Sequence, residues 1–505
     1  MNYQPTIGLE IHVELKTRTK MFCSCQNNPD EKQANVDICP VCTAQPGSLP
    51  TINLEAVRKV IKTGLALNCQ IPQHSKFDRK NYFYPDLPKG YQISQYDMPI
   101  ARQGELKLKV ENEKFKTIRI QRVHLEEDTG RLIHSENKDY SLVDFNRAGV
   151  PLMELVTEPD IACTKEARRF SQELQLILRY LDVSSADMEK GQMRVEVNIS
   201  LSEEEDLSSL SGKDQKLGTK VEIKNLNSFR SVERSIEYEI ERQRKILESG
   251  KKVIQETRGW NDAKEITVSQ REKEEAHDYR YFSEPDLPPL RHSEKFIEEV
   301  RGEIPELPQQ RRERFEKEYG LDLKSIEIFV QNKSLGEYFE KAMSELRNWI
   351  KVEDRKSRVS PEEFFKLAKL CQNYIISDLQ GLLKGGSLAN QDFLITPENF
   401  AEFVALIYKE QISSRIAKQV LEEMFKTGAD PSHIIEEKGL VQISDEVEIK
   451  KIVKEVVSQN EKAVEDFRKG KNNSFQYLIG QIMAKTKGKA NPQVVRDILT
   501  KELDK

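Results

Sequence analysis

The amino-acid sequence predicts a mixed α+β protein in which half-polar β-strands come first and helices follow. Three short segments alternate apolar and polar residues, and a period of two places alternate side chains on opposite faces of a strand. Beyond Pro289 the chain becomes highly charged, and its apolar residues recur at the three- and four-residue spacing of helices. These patterns predict an N-terminal part with a sheet and a C-terminal part made of helices.

Composition excludes several classes of protein. The 505 residues are 37% hydrophobic and 32% charged, which suggests several domains with ample core material. No run approaches the roughly 20 apolar residues that span a bilayer, and the N-terminus lacks the pattern of a signal peptide, so we expect a cytoplasmic protein without a membrane partner. The formal net charge of -5 argues against indiscriminate nucleic-acid binding, although local basic patches can still bind.

The first strand is predicted at residues 7–15 and has one apolar and one polar face. The polar face carries Glu10, His12 and Glu14. Two carboxylates and an imidazole on one face can hold a divalent cation or transfer a proton. A sheet that is only wetted on one face shows the same alternation, so this segment alone leaves both interpretations open.

Four cysteines follow in two close pairs, Cys23-x-Cys25 and Cys39-x-x-Cys42. The chain has seven cysteines, an odd number, and in a reducing compartment such a cluster indicates a metal site more than a disulfide framework. Four thiolates suit a closed tetrahedral zinc, and four protein ligands leave no open position for catalysis. We therefore predict a structural zinc, with four free thiols as the alternative.

An aromatic and basic loop is predicted at residues 78–100, where proline and glycine interrupt regular structure. Aromatic faces such as that of Tyr82 can stack on a nucleobase while Lys80 and Lys89 face phosphates. A rigid surface loop that is packed by its own tyrosines is compatible with the same residues.

Two charged turns follow in the chain. Glu126, Glu127 and Asp128 are adjacent carboxylates that repel one another unless a cation or solvent relieves them. Arg147 lies in a loop bounded by glycine and proline, where it suits an anionic ligand or a structural ion pair. Each turn by itself is compatible with an ordinary surface.

Two later strands repeat the half-polar pattern of the first. One places Glu196 and Asn198 on a shared face, and the next does the same with Glu222 and Lys224. Together with the first strand, they favour a cation and phosphate site over a sheet that is merely wet. The sequence has no Gly-rich phosphate loop, so an ATP site here would depend on carboxylates, metal and lysine.

The C-terminal helices are predicted to form two domains, over residues 294–405 and 406–505. The final 35 residues hold seven basic residues against three acidic ones. Lys485, Lys487 and Lys489 in this region suit contact with an RNA backbone, and an ordinary solvated turn is the alternative.

Five motifs, in order along the chain, carry a resemblance to a known family. They are residues 7–15 (IGLEIHVEL), 80–86 (KNYFYPD), 124–128 (HLEED), 222–229 (EIKNLNSF) and 487–492 (KGKANP). They resemble the B subunits of the glutamyl/aspartyl-tRNA amidotransferases, the GatB family. The resemblance covers the chain from residue 7 to its last helix.

The resemblance implies an ATP-dependent ligase that acts within a heterotrimer. Such enzymes phosphorylate the side-chain carboxylate of Glu misacylated on glutamine tRNA, or of Asp on asparagine tRNA. Ammonia that the partner A subunit makes from glutamine then displaces phosphate; a C subunit completes the complex. Phosphorylation is needed because a carboxylate is a poor electrophile and an acyl phosphate has a leaving group.

The resemblance also implies a fold and its domains. It predicts a cradle domain with an antiparallel sheet like that of glutamine synthetase and the guanido kinases over residues 1–293. An all-α helical domain over 294–405 and an all-α tail that contacts tRNA over 406–505 follow. These boundaries agree with the shifts in composition.

The resemblance further implies the site residues. It places catalysis and Mg²⁺ binding on Glu10, His12, Glu127, Glu196 and Glu222, nucleotide or phosphate contacts on Lys80, Tyr82, Asn198 and Lys224, and zinc on Cys23, Cys25, Cys39 and Cys42. Strict alternation puts Glu127 on the apolar face, so the turn must re-aim it. His12 is not a typical Mg²⁺ ligand, so we expect it to bind a softer or water-bridged ion or to orient a carboxylate. Many relatives carry Asp at position 196, and the longer side chain of Glu196 can still ligate a metal.

Two other functions are compatible with the residues. One is a non-catalytic, zinc-stabilised scaffold that binds tRNA, in which the acidic cluster only shapes the surface. The other is a stand-alone carboxylate kinase of the glutamine synthetase type, which would act on free glutamate. Glutamine hydrolysis by this chain itself is not expected, because no Ser-Ser-Lys amidase site is recognisable.

Overall fold

The computed structural model divides the chain into two compact units, Met1–Pro308 and Gln309–Lys505. The structure describes residues 3–109, 115–134, 139–203, 217–272, 279–353, 360–384, 386, 393–440, 446–468, 472–486, 490 and 492–503. Among these residues, no helix has both the length and the apolar character needed to cross a membrane.

An eight-stranded sheet forms the centre of the first unit. The strands of this unit are β1 (Tyr3–Glu14), β2 (His74–Ser75), β3 (Asp78–Asn81), β4 (Tyr91–Ser94), β5 (Ala101–Lys109), β6 (Phe115–Glu127), β7 (Arg131–His134), β8 (Ser141–Asp144), β9 (Pro151–Thr157), β10 (Met193–Glu203), β11 (Val221–Leu226), β12 (Glu256–Asn261), β13 (Ile266–Glu272), β14 (Phe282–Ser283) and β15 (Leu290–Arg291). The order in the main sheet is β13-β12-β11-β10-β1-β9-β6-β5. Neighbours are antiparallel except β11 and β12, which are parallel. This antiparallel-rich sheet and the many helices confirm the mixed α+β class.

Helices cover the apolar face of the main sheet. Within the described residues, the α-helices of the first unit are α1 (Leu54–Ala66), α2 (Thr164–Tyr180), α3 (Phe229–Glu248) and α4 (Glu294–Gly302). Leu9 and Ile11 of β1 are almost completely buried in the same core as Phe170 of α2 and Ile236 of α3. Apolar spacing in the sequence predicts helices at about 165–181 and 228–248, and α2 and α3 agree with these bounds to within one residue at each end.

The register of the central strands determines which polar side chains are neighbours. His12 on β1 lies opposite Arg194 on β10 and opposite Glu154 on β9. Glu154 in turn lies opposite His124 on β6. Directly opposite residues project from the same face of a sheet. These four residues therefore form one polar row across four strands.

The aromatic segment at 78–100 is a loop only in its middle. Its two ends form β3 and β4, which pair with each other, and β14 adds to β3 from about 200 residues away. Arg79 donates two hydrogen bonds of 2.8 Å to the buried Glu284 and lies over the ring of Tyr91. The prediction of a continuous loop was wrong at both ends of the segment, because β3 and β4 pair with each other and β3 also pairs with the remote β14.

Every described regular element after residue 293 is a helix. Those after α4 are α5 (Pro308–Tyr319), α6 (Leu323–Gln331), α7 (Lys333–Glu353), α8 (Pro361–Asn373), a π-helix (Tyr374–Leu379), α9 (Gln380–Leu383), α10 (Pro397–Tyr408), α11 (Ser414–Thr427), α12 (Pro431–Glu437), α13 (Glu446–Gln459), α14 (Glu461–Arg468), α15 (Asn472–Lys485) and α16 (Pro492–Leu503). Ser413 is the N-cap of α11, and its side chain accepts a hydrogen bond from the backbone N–H of Ile416. Arg58 of α1 pairs with Glu299 and Glu303, so ion pairs join α1 to the end of α4.

A buried carboxylate in the second unit gives its stability a pH dependence. Glu402 on α10 accepts a hydrogen bond from Ser432 and lies beside Asp430, the N-cap of α12. Burial, with a further contribution from Asp430, raises the pKa of Glu402 from 4.5 to about 7. Because the folded state holds this proton more tightly than the unfolded state, protonated Glu402 stabilises the fold at pH values below its unfolded-state pKa. This contribution is lost as the pH rises through the folded-state pKa of about 7.

Replacing Glu402 by Gln should therefore stabilise the chain more at pH 8 than at pH 5. We expect the gain in the free energy of unfolding to differ by about 2 kcal/mol between the two pH values, because the amide cannot ionise. Urea unfolding at both pH values measures this difference. Glu422→Gln, at an exposed position of α11, is the control. An equal gain at both pH values would contradict the assignment.

Candidate active site on the polar face of the sheet

Three carboxylates from three strands meet on the polar face. Glu10 of β1 lies opposite Glu196 of β10, and Glu222 of β11 joins them, with one ligand atom of each within 4.8 Å of the others. Burial is the main cause that raises the pKa of Glu10 to about 7, and the neighbouring carboxylates add to it. The site is therefore short of positive charge. Carboxylate oxygens in such a group suit Mg²⁺.

Lys224 supplies part of the missing positive charge. Its Nζ lies 2.9 Å from Glu196 Oε2 and 3.7 Å from Glu222 Oε1. Although burial opposes the charge, these two glutamates raise the pKa of Lys224, so its ammonium stays protonated. Thr257 orients Glu222 by donating a hydrogen bond of 2.6 Å. One third of the Lys224 side chain is exposed, which leaves it access to a ligand.

His12 belongs to a second, adjoining group. Its Nε2 lies 3.3 Å from Glu154 and 3.7 Å from both Glu10 and Glu126. Burial opposes protonation, but the hydrogen bond with Glu154 and the charges of the surrounding glutamates together outweigh it and raise the pKa of His12 to about 9. Glu10, His12 and Glu154 also satisfy the spacing of metal ligands, so Glu10 is shared by two candidate cation sites. An imidazole suits a softer ion than Mg²⁺.

Sequence reasoning missed Glu154 and did not choose Glu126 or His124. All three are buried and form a further group with metal-ligand spacing. Glu154 lies between two imidazoles, 3.3 Å from His12 and 3.5 Å from His124. The signal was present, because Glu154 is a lone acid in the otherwise apolar strand β9. A carboxylate is seldom buried in a central strand without a partner.

The structure does not bring the Glu127 carboxylate into these groups. From Arg122 to Glu127, β6 pairs regularly with β9, so the turn does not re-aim the Glu127 side chain, and Glu126 faces His12 instead. Glu127 accepts hydrogen bonds from Lys89 at 2.8 Å and from the backbone N–H of Ile93 at 3.0 Å. Lys89, expected to face a phosphate, is thereby engaged by a buried carboxylate.

The other predicted ligand contacts line the site more loosely. The ammonium of Lys80 lies 5.0 Å from the centroid of the Tyr279 ring. Burial opposes its charge, but Glu126 and the other nearby acidic groups together raise the pKa of Lys80. The hydroxyl of Tyr82 donates to Gln92 at 3.3 Å. Asn198 lies opposite Glu222 in register, and its side-chain oxygen is buried without a hydrogen-bond partner among the described residues. An orphaned oxygen beside three carboxylates fits a cation ligand.

The four clustered cysteines converge as predicted. The four Sγ atoms lie within 4.8 Å of one another, and those of Cys39 and Cys42 are 3.8 Å apart. Sulfurs at the corners of a zinc tetrahedron with bonds of 2.3 Å are about 3.8 Å apart. A hydrogen bond from Cys23 is the main cause that lowers the pKa of Cys42 to about 5, and the ammonium of Lys20, 3.9 Å away, contributes.

The predicted tRNA contacts are only partly described. Lys485 ends α15, and its Nζ lies 2.5 Å from Glu455 of α13. Lys487 and Lys489 lie outside the described residues.

A sheet whose polar face gathers carboxylates, imidazoles and an ammonium is typical of an enzyme that uses metal ions. Residues 5–298 match the family described as the GatB/GatE catalytic domain, and residues 362–503 match the GatB domain. The chain belongs to the GatB family, the B subunits of aspartyl/glutamyl-tRNA amidotransferases, which are ligases.

Relatives match this chain over its whole length. The B subunits of the aspartyl/glutamyl-tRNA(Asn/Gln) amidotransferases from Caldicellulosiruptor saccharolyticus and Thermotoga maritima are 47% and 48% identical to it, over 100% of both chains. The protein of the same name from Persephonella marina is 48% identical over 99% of each chain.

Proposed function

We propose that this chain activates the side-chain carboxylate of Glu on glutamine tRNA, of Asp on asparagine tRNA, or of both, for amidation. The observation that carries the proposal is the convergence of Glu10, Glu196, Glu222 and Lys224 on one face of the sheet, in a chain of this family. Three carboxylates suit a divalent cation, and a lysine that is a third exposed suits a phosphate.

The proposed reaction has two balanced steps. First, a carboxylate oxygen of the aminoacyl group attacks the γ-phosphorus of ATP. The bond from that phosphorus to the bridging oxygen breaks, and its electron pair leaves with ADP. Next, ammonia attacks the acyl carbon, the bond from that carbon to the phosphate oxygen breaks, and phosphate leaves while nitrogen loses a proton. The acyl phosphate thus replaces a poor leaving group with a good one.

The residues on the polar face fit Mg²⁺. Glu10, Glu196 and Glu222 would hold it through oxygen, and the orphaned oxygen of Asn198 offers a further ligand. When bound, Mg²⁺ neutralises phosphate charge and aligns the reacting oxygens. Lys224 is positioned between two of the carboxylates and within reach of an anion at the same place.

Residues around this group would position it. His12 would orient Glu154 through their hydrogen bond, which is one of the two roles predicted for this imidazole. We place Lys80 and Tyr82 near the nucleotide. Glu127 would contribute indirectly, because it ties Lys89 and the backbone of Ile93 to the end of β6.

We further propose the domain roles and partners of the chain. Residues 1–293 would form a catalytic cradle like that of glutamine synthetase and the guanido kinases. Residues 294–405 would form a helical domain, and 406–505 a tail that contacts tRNA through the region of Lys485. An A subunit would supply ammonia from glutamine, and a C subunit would complete a cytoplasmic heterotrimer. The separate match of residues 362–503 supports a distinct C-terminal module.

Release of ADP by the assembled complex tests the proposed function. We expect release to require both Mg²⁺ and misacylated tRNA, and free glutamate not to replace the tRNA. Equal release with free glutamate would favour a stand-alone carboxylate kinase. An absence of ADP release under all these conditions would favour the non-catalytic scaffold.

Zinc analysis tests the cysteine site separately. We expect wild type to retain zinc through purification, and Cys39→Ser to lose most of it and to melt at least about 3 °C lower, because structural zinc stabilises the fold that binds it. Cys163→Ser, at an exposed cysteine outside the cluster, is the control. Equal zinc content in wild type and Cys39→Ser would exclude this ligand set.

A further inference from the structure

Two arginines converge on one buried carboxylate at the edge of the polar face. Arg194 donates to Asp128 Oδ2 at 2.8 Å, and Arg147 donates to Oδ1 at 3.2 Å. The Nε of Arg147 lies 3.0 Å from Oδ2, so this guanidinium approaches both oxygens of the carboxylate. One guanidinium in that position is enough to neutralise a carboxylate. The second arginine is therefore available to a further anionic group, and the buried carboxyl group of Glu14, beside Asp128, already interacts with both arginines.

The backbone fixes the loop that carries Arg147 against Asp128. The N–H of Asp128 donates to Val150 O at 2.8 Å, and the N–H of Gly149 donates to Asp128 O at 2.9 Å. Gly149 has a φ of +85°, in the left-handed region that glycine adopts without strain. The arginine pair is therefore positioned by the protein itself.

The pair also has hydrogen-bonding capacity left over. The Nε of Arg194 is buried and has no hydrogen-bond partner among the described residues. The Nε itself is shielded from solvent, but the Arg194 side chain as a whole is 35% exposed, so its exposed part is open to a ligand. A buried N–H that donates to nothing is unusual in a folded protein. Asp128 therefore does not satisfy the whole of the Arg194 guanidinium.

Arg194 lies beside the proposed cation site. It is opposite His12 in the register of β10 and β1, and it precedes Glu196 by two residues on the same face of β10. An anion that meets cations at Glu196 can therefore meet guanidinium groups on its other side. Metal ions and arginines commonly bracket a phosphoryl group in this way during its transfer.

We propose that Arg147 and Arg194 form an anion subsite that holds the phosphoryl group during its transfer and after its release as inorganic phosphate. The assignment rests on the proposed function. The planar donors of guanidinium groups match two phosphate oxygens at once. Because charge spreads over these oxygens as the bond to ADP breaks, fixed donors stabilise the transition state. Neither arginine gains or loses a proton.

Binding of inorganic phosphate to the assembled complex tests the subsite without turnover. We expect Arg194→Met and Arg147→Met each to weaken phosphate binding about tenfold or more, measured by calorimetry, and Arg194→Lys to fall between them and wild type. Each single variant leaves Asp128 paired with the other arginine, which protects the fold. Arg119→Met removes an arginine that is 66% exposed and paired with Asp160, and should leave phosphate binding unchanged.

Kinetics of ADP release separate a role in the reaction from a structural one. The two Met variants should lower kcat about 100-fold and become insensitive to inhibition by phosphate, while KM for misacylated tRNA stays the same. The subsite would be overturned if wild type and both variants bound phosphate equally well, or if wild type did not bind it. In either case, tRNA-dependent ADP release by wild type would still support the proposed function. If the two arginines are needed for phosphate binding but wild type releases no ADP with misacylated tRNA, the proposed function would be overturned. The assignment of the bound anion as the transferred phosphoryl group would be overturned with it.

Discussion

Glu222→Gln is expected to lower tRNA-dependent ADP release at least about 1,000-fold in the assembled complex. The change removes one of the three carboxylates that Mg²⁺ would share with Glu10 and Glu196. It also leaves Lys224 with Glu196 as its remaining anionic partner, 2.9 Å away, so the ammonium competes more strongly for that ligand. The hydroxyl of Thr257 can still donate to the amide oxygen, which preserves the local fold.

Two further variants calibrate this effect. Thr257→Val removes only the hydroxyl that orients Glu222 and should cost about tenfold. Glu237→Gln, at an exposed position of α3, removes the same charge elsewhere and should leave the rate unchanged. Mn²⁺ affinity, measured without nucleotide, should fall in the order wild type, Thr257→Val, Glu222→Gln. A rate for Glu222→Gln within threefold of wild type would refute the metal role and favour a scaffold.

Local alternation was sufficient to predict much of the polar face. A strand repeats every two residues whatever its partners are, so Glu10, His12, Glu196 and Glu222 could be placed on wet faces from the sequence alone. The structure joins these faces in one sheet, with β1 and β10 adjacent and β11 next to β10. Helices α2 and α3 could also be predicted from the sequence, because apolar spacing and the Ser228 N-cap depend only on residues that are close in the chain.

Strand order and register could not be read in the same way. Glu154 meets His12 only because β9 pairs with β1, although about 140 residues separate them in sequence. The Glu126 and Glu127 pair shows the same limit on a smaller scale. A shift of one residue moves a side chain to the other face, and only the pairing of β6 with β9 decides which carboxylate joins the site.

Glu154→Gln is expected to reduce ADP release about 100-fold and Mn²⁺ affinity about tenfold or more. Glu154 is the carboxylate between His12 and His124, and it also lies 3.5 Å from Arg122. Its hydrogen bond is the main contribution that holds the pKa of His12 near 9 against burial. Without this negative charge, His12 loses the partner that fixes its ring, and the adjoining Glu10 loses its arrangement around the cation.

A matched variant distinguishes this role from a general loss of charge. Glu158→Gln changes an acid four residues further along the same segment, beyond the end of β9, and should leave both measurements unchanged. Because Glu154 is buried, its variant must also be compared with wild type by thermal unfolding in the presence of Mn²⁺. If Glu154→Gln is folded and retains wild-type Mn²⁺ affinity, then the group of Glu10, His12 and Glu154 holds no cation. The group formed by the carboxylates of Glu10, Glu196 and Glu222 would then be the cation site on this face.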